Sequence, residues 1–571
     1  MILKQHKWVK VSLLWFAPLA YLLLFYFYPL GSILTVSLER SQQGPISPFV
    51  EALKSPIPWR TLGFTLWQAI LSTLLTLALG LPGAYLFAHY NFRGKSLLQA
   101  LTGIPFLMPT LVVAAAFNAL VGPNGWVNLG LRQLFHLSSP PLQFTNTLTA
   151  ILVAHVFYNT TIVLRMVGDF WSHLDPRLGQ AAQMLGANRW QAIRWVITPV
   201  LTPAITAAAL LVFIFDFTSF GVILILGGPR FATLEVEIYY QTISLFNLPM
   251  AAVLSLLQLA CTLGLTLIYT RLTKRLTIPL ALKSRIITQR RLTTSRSKLM
   301  AGILITALTI FLILPLAALG IRSLTRLEPA RGQQTAASPG FTLDYYRELG
   351  INRRGSAFYA SPSTAIGISL GYALLTTVLA LALGFPAALA LSRDVDSPIN
   401  QGMDAILMLP LGTSAVTLGL GFIVALDQPP LDLRASWILV PLAHTLVAFP
   451  FVVRNLTPAL RSIRPRIRQA AAVLGASPRS VFQHIDIPMI GRATLVAGTF
   501  AFTISLGEFG ATSLIARPEF PTVPVAIYRL ISRPGEINYG QALALSTILM
   551  LVAGAGMLLI DRMRIGEIGE F

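Results

Sequence analysis

Charge is what this 571-residue chain has least of. Only 11% of its residues are Asp, Glu, Lys or Arg, against about a quarter in soluble domains. A soluble protein so poor in charge could not cover its surface. A hydrophobic content of 54% and a mean hydropathy of +0.68 suit a chain that sits in lipid. Acidic residues are scarcer still, 22 against 43 Lys+Arg, so the net charge is +21. In a soluble chain that excess would suggest nucleic acid. Here too few charges are available for such a face, and loops that collect Lys and Arg on the cytoplasmic side account for it better. The single cysteine, Cys261, excludes a disulfide framework and a Cys-rich metal site. Catalytic signatures are missing as well. The one Gly-Lys-Ser, Gly94-Lys95-Ser96, has His89 where a phosphate-binding loop needs its earlier glycine. Neither H-E-x-x-H nor G-x-S-x-G occurs. The expectation is a non-catalytic chain that binds no cofactor or metal of its own.

What is present is a series of long apolar runs. A spanning helix needs about 20 mostly apolar residues. Twelve runs qualify: 12–37, 61–89, 98–121, 146–168, 200–226, 247–270, 299–321, 364–392, 404–426, 435–456, 491–515 and 541–560. Helices are the natural form, because lipid offers no partner to unpaired backbone groups. The alternating ten-residue segments of an outer-membrane barrel are absent. The first run follows Lys4, Lys7 and Lys10, as a signal peptide would, but it is too long and no A-x-A-like site closes it. It is expected to be a retained helix with a cytoplasmic N-terminus. Twelve passes then return the C-terminus to the cytoplasm. With that topology the inside segments hold 25 Lys+Arg and the outside segments 15. Nine of the inside ones lie in 271–298, which has no acidic residue.

The two parts flanking that stretch repeat each other. A shift of 289 carries His155 onto His444, Arg165 onto Arg454, Pro176 onto Pro465, Gly186 onto Gly475 and Pro199 onto Pro488. It also carries Gln180-Ala181-Ala182 onto Gln469-Ala470-Ala471, Phe220-Gly221 onto Phe509-Gly510, Thr233 onto Thr522 and Ile238-Tyr239 onto Ile527-Tyr528. No gap is needed from 155 to 239. Upstream, a shift of 304 aligns Thr73 with Thr377, Gly80 with Gly384 and Pro82 with Pro386. The first half therefore has a longer outside loop near 122–145. The chain reads as a first half at 1–270, a basic cytoplasmic linker at 271–298 and a second half at 299–571. Six helices per half, both starting inside, make this a parallel repeat.

The most informative segment is 175–199, with its copy at 464–488. Asp175-Pro176 offers an N-cap followed by proline in the first turn. The run RLGQAAQML favours a helix, and Gly186 suits a left-handed turn at its end. Asn188 caps a second short helix, and Pro199 begins the next membrane helix. The copy follows the same plan through Pro465, Gly475, Ser477-Pro478 and Pro488. Each segment is a polar helix-turn-helix of about 25 residues, and its paired alanines leave a low surface on which another protein could dock. The two copies share the spacing Q-A-A-x3-G-x9-[VI]-x-[TI]-P.

This spacing resembles the E-A-A-x3-G-x9-I-x-L-P signature of permease subunits of binding-protein-dependent ABC importers. In that family the loop forms a coupling helix that docks into a groove on the ATPase subunit. Gln180 and Gln469 replace the family's Glu, and Val196-Ile197-Thr198-Pro199 is a loose match where Ile485-Asp486-Ile487-Pro488 is a closer one. Two fused halves are similar to the ferric-iron and thiamine importer branch. The segments 217–239 and 505–528 look like their counterparts in thiamine permeases. The resemblance implies an all-α membrane protein of the type I importer permease kind, set in a bacterial inner membrane. It implies two ATPase subunits, which bind the ATP, docking on 175–199 and 464–488. It further implies an extracytoplasmic binding protein delivering a small solute, thiamine or its phosphates ahead of ferric iron.

Ionisable groups inside a membrane are costly and therefore functional candidates. Asp216 and Glu508 lie in equivalent spans, three positions apart in register. Both could face a translocation path, or each could be hydrated or bonded to a neighbour. His155 and His444, being duplicated, suit a shared hydrogen-bonding role better than ligand binding. Arg165 and Arg454 suit helix-end anchors whose heads reach the interface. Gly227-Gly228 and the proline-rich 516–524 suggest re-entrant or tight outside turns. The competing class is an ion-coupled secondary transporter of twelve helices, which would need midplane charges and no docking loops.

Overall fold

The structure, a computed structural model, describes residues 14–39, 47–276, 289–326, 340–351, 360–393, 397–427, 429 and 431–565. Lys4, Lys7 and Lys10, the linker residues 277–288 and the C-terminal residues 566–571 lie outside them. Among the described residues the strands are two residues long, Tyr90–Asn91 paired in parallel with Arg290–Arg291. The rest of the regular structure is helical, as backbone in lipid demands. Among the described residues eleven helices are long and apolar enough to span a membrane, or twelve when one bent pair counts as a single span. In chain order these are Leu14–Val36, Pro56–His89, Thr110–Phe135, Leu148–Ser172, Arg189–Phe217, Leu248–Leu272, Ser295–Arg322, Pro362–Arg393, Leu439–Ser462, Arg479–Gly507 and Glu536–Ile560.

Four expected spans are built differently. The run 98–121 is two helices, Lys95–Leu107 and Thr110–Val121. Met108 between them is extended, at φ −69° and ψ 135°, because the ring of Pro109 disfavours a helical residue before it. The run 404–426 bends by 94° between Pro398–Gly412 and Ala415–Ala425. There the Ser414 hydroxyl accepts from Val416 N and Thr417 N, which caps the second piece. The runs 200–226 and 491–515 stop at Phe217 and Gly507, and separate short helices Gly221–Leu226 and Gly510–Ile515 follow. These two spans also begin earlier than expected. Arg189–Phe217 and Arg479–Gly507 each run unbroken out of the polar hairpin, so Pro199 and Pro488 do not start a helix. Each helix passes through a π-helical turn just before the proline, at Ile193–Ile197 and Phe482–Asp486. The wider turn makes room for a ring that would otherwise strike the preceding turn.

The chain forms two compact units that cut across its linear halves. One comprises Ser55–Glu237 and Ala260–Thr342; the other comprises the described parts of Met1–Lys54, Ile238–Leu259 and Leu343–Phe571. The first span of each half is therefore exchanged. Leu14–Val36 joins the second-half helices, where Tyr21 donates to Leu442 O at 2.6 Å and Tyr26 pairs with Thr413 Oγ1 at 2.7 Å. Ser295–Arg322 joins the first-half helices, where Phe311 meets Phe157 edge-on at 6.0 Å and Arg322 donates to Asn124 O at 3.0 Å.

Elements recur at the repeat spacing. The π turns 193–197 and 482–486, and the short helices 221–226 and 510–515, stand 289 residues apart. Close helix crossings recur as well. A Cβ on Gly80 would lie 2.7 Å from Val163 Cβ, and a Cβ on Gly384 would lie 2.5 Å from Val452 Cγ1. In lipid, such small residues let helices approach and gain packing. Gly384→Ala is thus expected to destabilise the purified protein by about 1–3 kcal/mol, read from its heat-unfolding midpoint in detergent. Gly367→Ala, in the same helix with nothing within 4 Å of the new Cβ, should leave that midpoint unchanged. Equal behaviour of the two variants would refute the crossing as a packing constraint.

Candidate functional site

Two helical hairpins and two buried histidine clusters carry the sequence-predicted residues. In the first hairpin, Asp175 Oδ1 accepts from Arg177 N at 3.0 Å and starts helix Arg177–Met184. Gly186 reverses the chain with φ 93°, a left-handed conformation that side chains resist. Gly186 N donates to Gln183 O at 3.0 Å and Ala187 N to Ala182 O at 3.1 Å, closing the carbonyls of the helix end. Asn188 and Gln191 cap the next helix reciprocally, each side chain accepting from the other's backbone N at 2.8 Å. The first helix lies back on the start of the span, so that a Cβ on the buried Gly179 would sit 3.4 Å from Ile197 Cδ1.

The second hairpin has the same backbone. Helix Pro465–Val473 ends at Gly475, φ 84°. Gly475 N donates to Ala472 O and Ala476 N to Ala471 O, both at 3.0 Å. Its closing contact is chemically different. Arg468 and Asp486 stand 289 residues after Gly179 and Ile197, and Arg468 Nε meets Asp486 Oδ1 at 2.8 Å. An apolar contact in one hairpin is an ion pair in the other.

Both hairpins present their motif outward. Gln180, Ala181, Gly186 and Pro199 are exposed and Ala182 half-buried; Gln469, Ala470, Gly475 and Pro488 are exposed and Ala471 half-buried. At the tips Met184 and Leu185 are each 90% exposed, and Val473 and Leu474 each 87%. Paired aliphatic side chains held this far out on a capped turn form an apolar knob rimmed by polar residues, the kind of patch that marks a protein contact.

The other candidates lie inside the units. His155 Nε2 meets Ser219 Oγ at 2.8 Å, and its Nδ1 lies 3.4 Å from Asp216 Oδ1. Asn159 Nδ2 donates to the same Asp216 oxygen at 2.7 Å, and Gln68 Nε2 donates to Asp216 O at 2.8 Å. In the other unit His444 meets Ser505 Oγ and Thr512 Oγ1, both at 2.7 Å, and its Nε2 lies 3.2 Å from Glu508 Oε2. Glu508 also caps helix Gly510–Ile515, accepting from Ala511 N at 2.8 Å and Thr512 N at 3.1 Å and from the Thr512 hydroxyl. Asp216 and Glu508 are thus buried, each beside its own unit's histidine. Ser505 occupies the register position of Asp216, and Glu508 that of Ser219. At these two register positions each histidine has one carboxylate and one hydroxyl, exchanged between the copies, and His444 has a second hydroxyl in Thr512. Ser219, Asn159, Ser505 and Thr512 were not singled out from the sequence. The 289-residue shift alone pairs 219 with 508, and that was the available signal.

Arg165 and Arg454 sit in Leu148–Ser172 and Leu439–Ser462, about two turns before their ends. Arg165 is half-buried, and Arg454 is exposed, with its Nε against Met408 Sδ at 3.2 Å. The lysine of Gly94-Lys95-Ser96 donates to Phe87 O at 2.7 Å and Tyr90 O at 2.8 Å, closing the end of helix Pro56–His89. Gly228 turns the chain at φ 61° after helix Gly221–Leu226.

Many spans, capped polar hairpins at their ends and polar clusters buried between helices define a multi-pass membrane transport protein. Residues 80–278 match the family described as binding-protein-dependent transport system inner membrane component. The thiamine transport system permease protein ThiP of Brucella abortus (strain 2308) is 28% identical over 508 residues, 88% of this chain and 87% of its own. ThiP of Escherichia coli (strain K12) is 27% identical over 496 residues, 85% and 86% of the two chains. ThiP of Haemophilus influenzae is 26% identical over 544 residues, 92% and 94%. The chain is the permease of an ABC importer, a multi-pass protein of the inner membrane.

The exchanged clusters have a direct test. Glu508→Ser leaves Ala511 N, Thr512 N and His444 short of a partner and is expected to destabilise by about 2–4 kcal/mol. Adding Ser505→Asp rebuilds the arrangement around His155 and should recover at least half of the lost unfolding midpoint. A double variant no more stable than Glu508→Ser would refute the exchange.

Proposed function

We propose that this chain carries thiamine or a thiamine phosphate across the inner membrane in an ATP-driven importer. The observation that carries the substrate reading is likeness to thiamine permeases over 85–92% of the chain. On this reading the chain performs no chemistry and holds no cofactor, and ATP is hydrolysed on two separate ATPase subunits. The hairpins are the docking elements. Their apolar tips, Met184-Leu185 and Val473-Leu474, enter grooves on those subunits. The polar turn and the exposed Gln180 and Gln469 supply the rim. Because each hairpin runs into a span through a π turn without a break, a displacement of the tip is delivered to a rigid helix rather than lost in a loop. Both termini lie in the cytoplasm with the hairpins, and a binding protein delivers the solute to the opposite face. The buried His–carboxylate clusters hold helices together within each unit, and the translocated solute does not depend on them for a partner.

The test is uptake of radiolabelled thiamine into vesicles carrying the permease with its ATPase and binding protein. Uptake should need ATP inside and ignore a protonophore; the opposite pattern would establish the ion-coupled alternative. Replacing Gly186 and Gly475 together by Val puts β-branched residues at φ 93° and 84°, where each is strained by about 1–2 kcal/mol. The double variant should remain in the membrane at normal abundance but lose most ATP-dependent uptake. Normal uptake in that variant would overturn the coupling role.

A further inference from the structure

A cavity of about 340 Å³ opens in the unit that contains Pro362–Arg393 and Leu439–Ser462, lined by Ile368, Gly371, Tyr372, Leu375, Trp437 and Phe520. Trp437 precedes the first turn of Leu439–Ser462, so the cavity lies at the end of that helix opposite its hairpin. The Tyr372 and Trp437 rings are nearly parallel, 12° apart with centroids 6.5 Å apart. The Tyr372 hydroxyl is buried and has no hydrogen-bond partner among the described residues.

The cavity belongs to one copy of the repeat. Phe64 and Trp67 stand 304 residues before Ile368 and Gly371, and Phe231 stands 289 before Phe520. In that copy the rings close on one another, Phe64 lying 5.8 Å from Phe231 and 6.4 Å from Trp67. Replacing two of these rings by Ile368 and Gly371 leaves the space open and keeps an aromatic wall around it.

We propose that this pocket binds a flat, positively charged heteroaromatic solute on its way into the permease. Aromatic faces attract cations and stack with flat rings. A lipid tail would fill the apolar space without using the parallel faces of Tyr372 and Trp437. The volume suits a solute of one or two rings. The proposal deepens the thiamine reading and rests on it only for the choice of first probe, since thiamine joins an aminopyrimidine to a cationic thiazolium.

The experiment is calorimetric titration of the full-length permease in lipid nanodiscs, with thiamine and, separately, with N-benzylpyridinium. Gly371→Trp restores the ring found at Trp67 and has no atom within 4 Å of its new Cβ. It should weaken binding of both cations at least about tenfold. Trp437→Leu should do likewise. Unfolding midpoints of the variants separate loss of the site from loss of fold. Binding unchanged in both Gly371→Trp and Trp437→Leu overturns the proposal, as does failure of both cations to bind the parent protein. Octyl glucoside bound as tightly as the cations, and lost in Gly371→Trp, overturns it in favour of a lipid tail. If N-benzylpyridinium binds in a Gly371-dependent way and thiamine does not bind, the pocket stands and the thiamine reading falls.

Discussion

In lipid a polar group must find its partner inside the protein, and most of this structure follows from that requirement. Water is not there to receive an unpaired N–H or carbonyl. The described spans are accordingly helical, and at two of the breaks a side chain takes over orphaned groups. Ser414 does this at the bend before Ala415–Ala425, and Glu508 does it for Gly510–Ile515. The same requirement gathers the intramembrane carboxylates onto histidines. A buried Asp216 or Glu508 alone would be expensive; set beside an imidazole and hydrogen-bonded by Asn159 or Thr512, each becomes part of the packing between helices. Strongly polar helices, in turn, lie outside the spans, in the two hairpins and at Asp344–Glu348.

That requirement constrains chemistry more than position. His155 needs a carboxylate and a hydroxyl within reach, and Asp216 and Ser219 supply them. His444 has the same need, met by Ser505 and Glu508 in the opposite order. The hairpins show the same freedom. Gly179 against Ile197 and Arg468 against Asp486 both close the helix onto the span. One does so by letting a methyl group in close, the other by a charge-assisted hydrogen bond. Either pair is self-consistent, whereas a mixture, such as Arg468 facing an isoleucine, would leave a charge without its partner.

These exchanges explain what was legible in the sequence. Positions where the backbone itself sets the residue repeat identically and were found by spacing alone: the left-handed Gly186 and Gly475, the prolines after the π turns, and the glycines at the helix crossings. The capping residues Asp175 and Asn188 were legible for the same reason, since each acts within three residues of itself. Positions set by a partner far along the chain were not. Nothing local in 14–36 indicates that this span packs with the helices of the second half, because any apolar helix surface would suit lipid or protein alike. The unbroken path from hairpin to span is hidden in the sequence because proline also reads as a helix start. A π turn, which has no side-chain signature, is what allowed the helix to pass through it.

A duplicated frame with interchangeable fillings also accounts for how the copies come to differ. Both hairpins must reverse in one turn, so both keep a glycine and both expose an aliphatic tip. A wall that no turn or crossing depends on is free to change in one copy. Phe64 and Trp67 plug one such wall, and Ile368 and Gly371 open the other. On the proposed function, two equal ATPase subunits would require the hairpins to remain alike in backbone. A single solute crossing at a time requires only one place to rest. The likeness of the two hairpins and the asymmetry of the aromatic pocket are therefore compatible features of the same repeat.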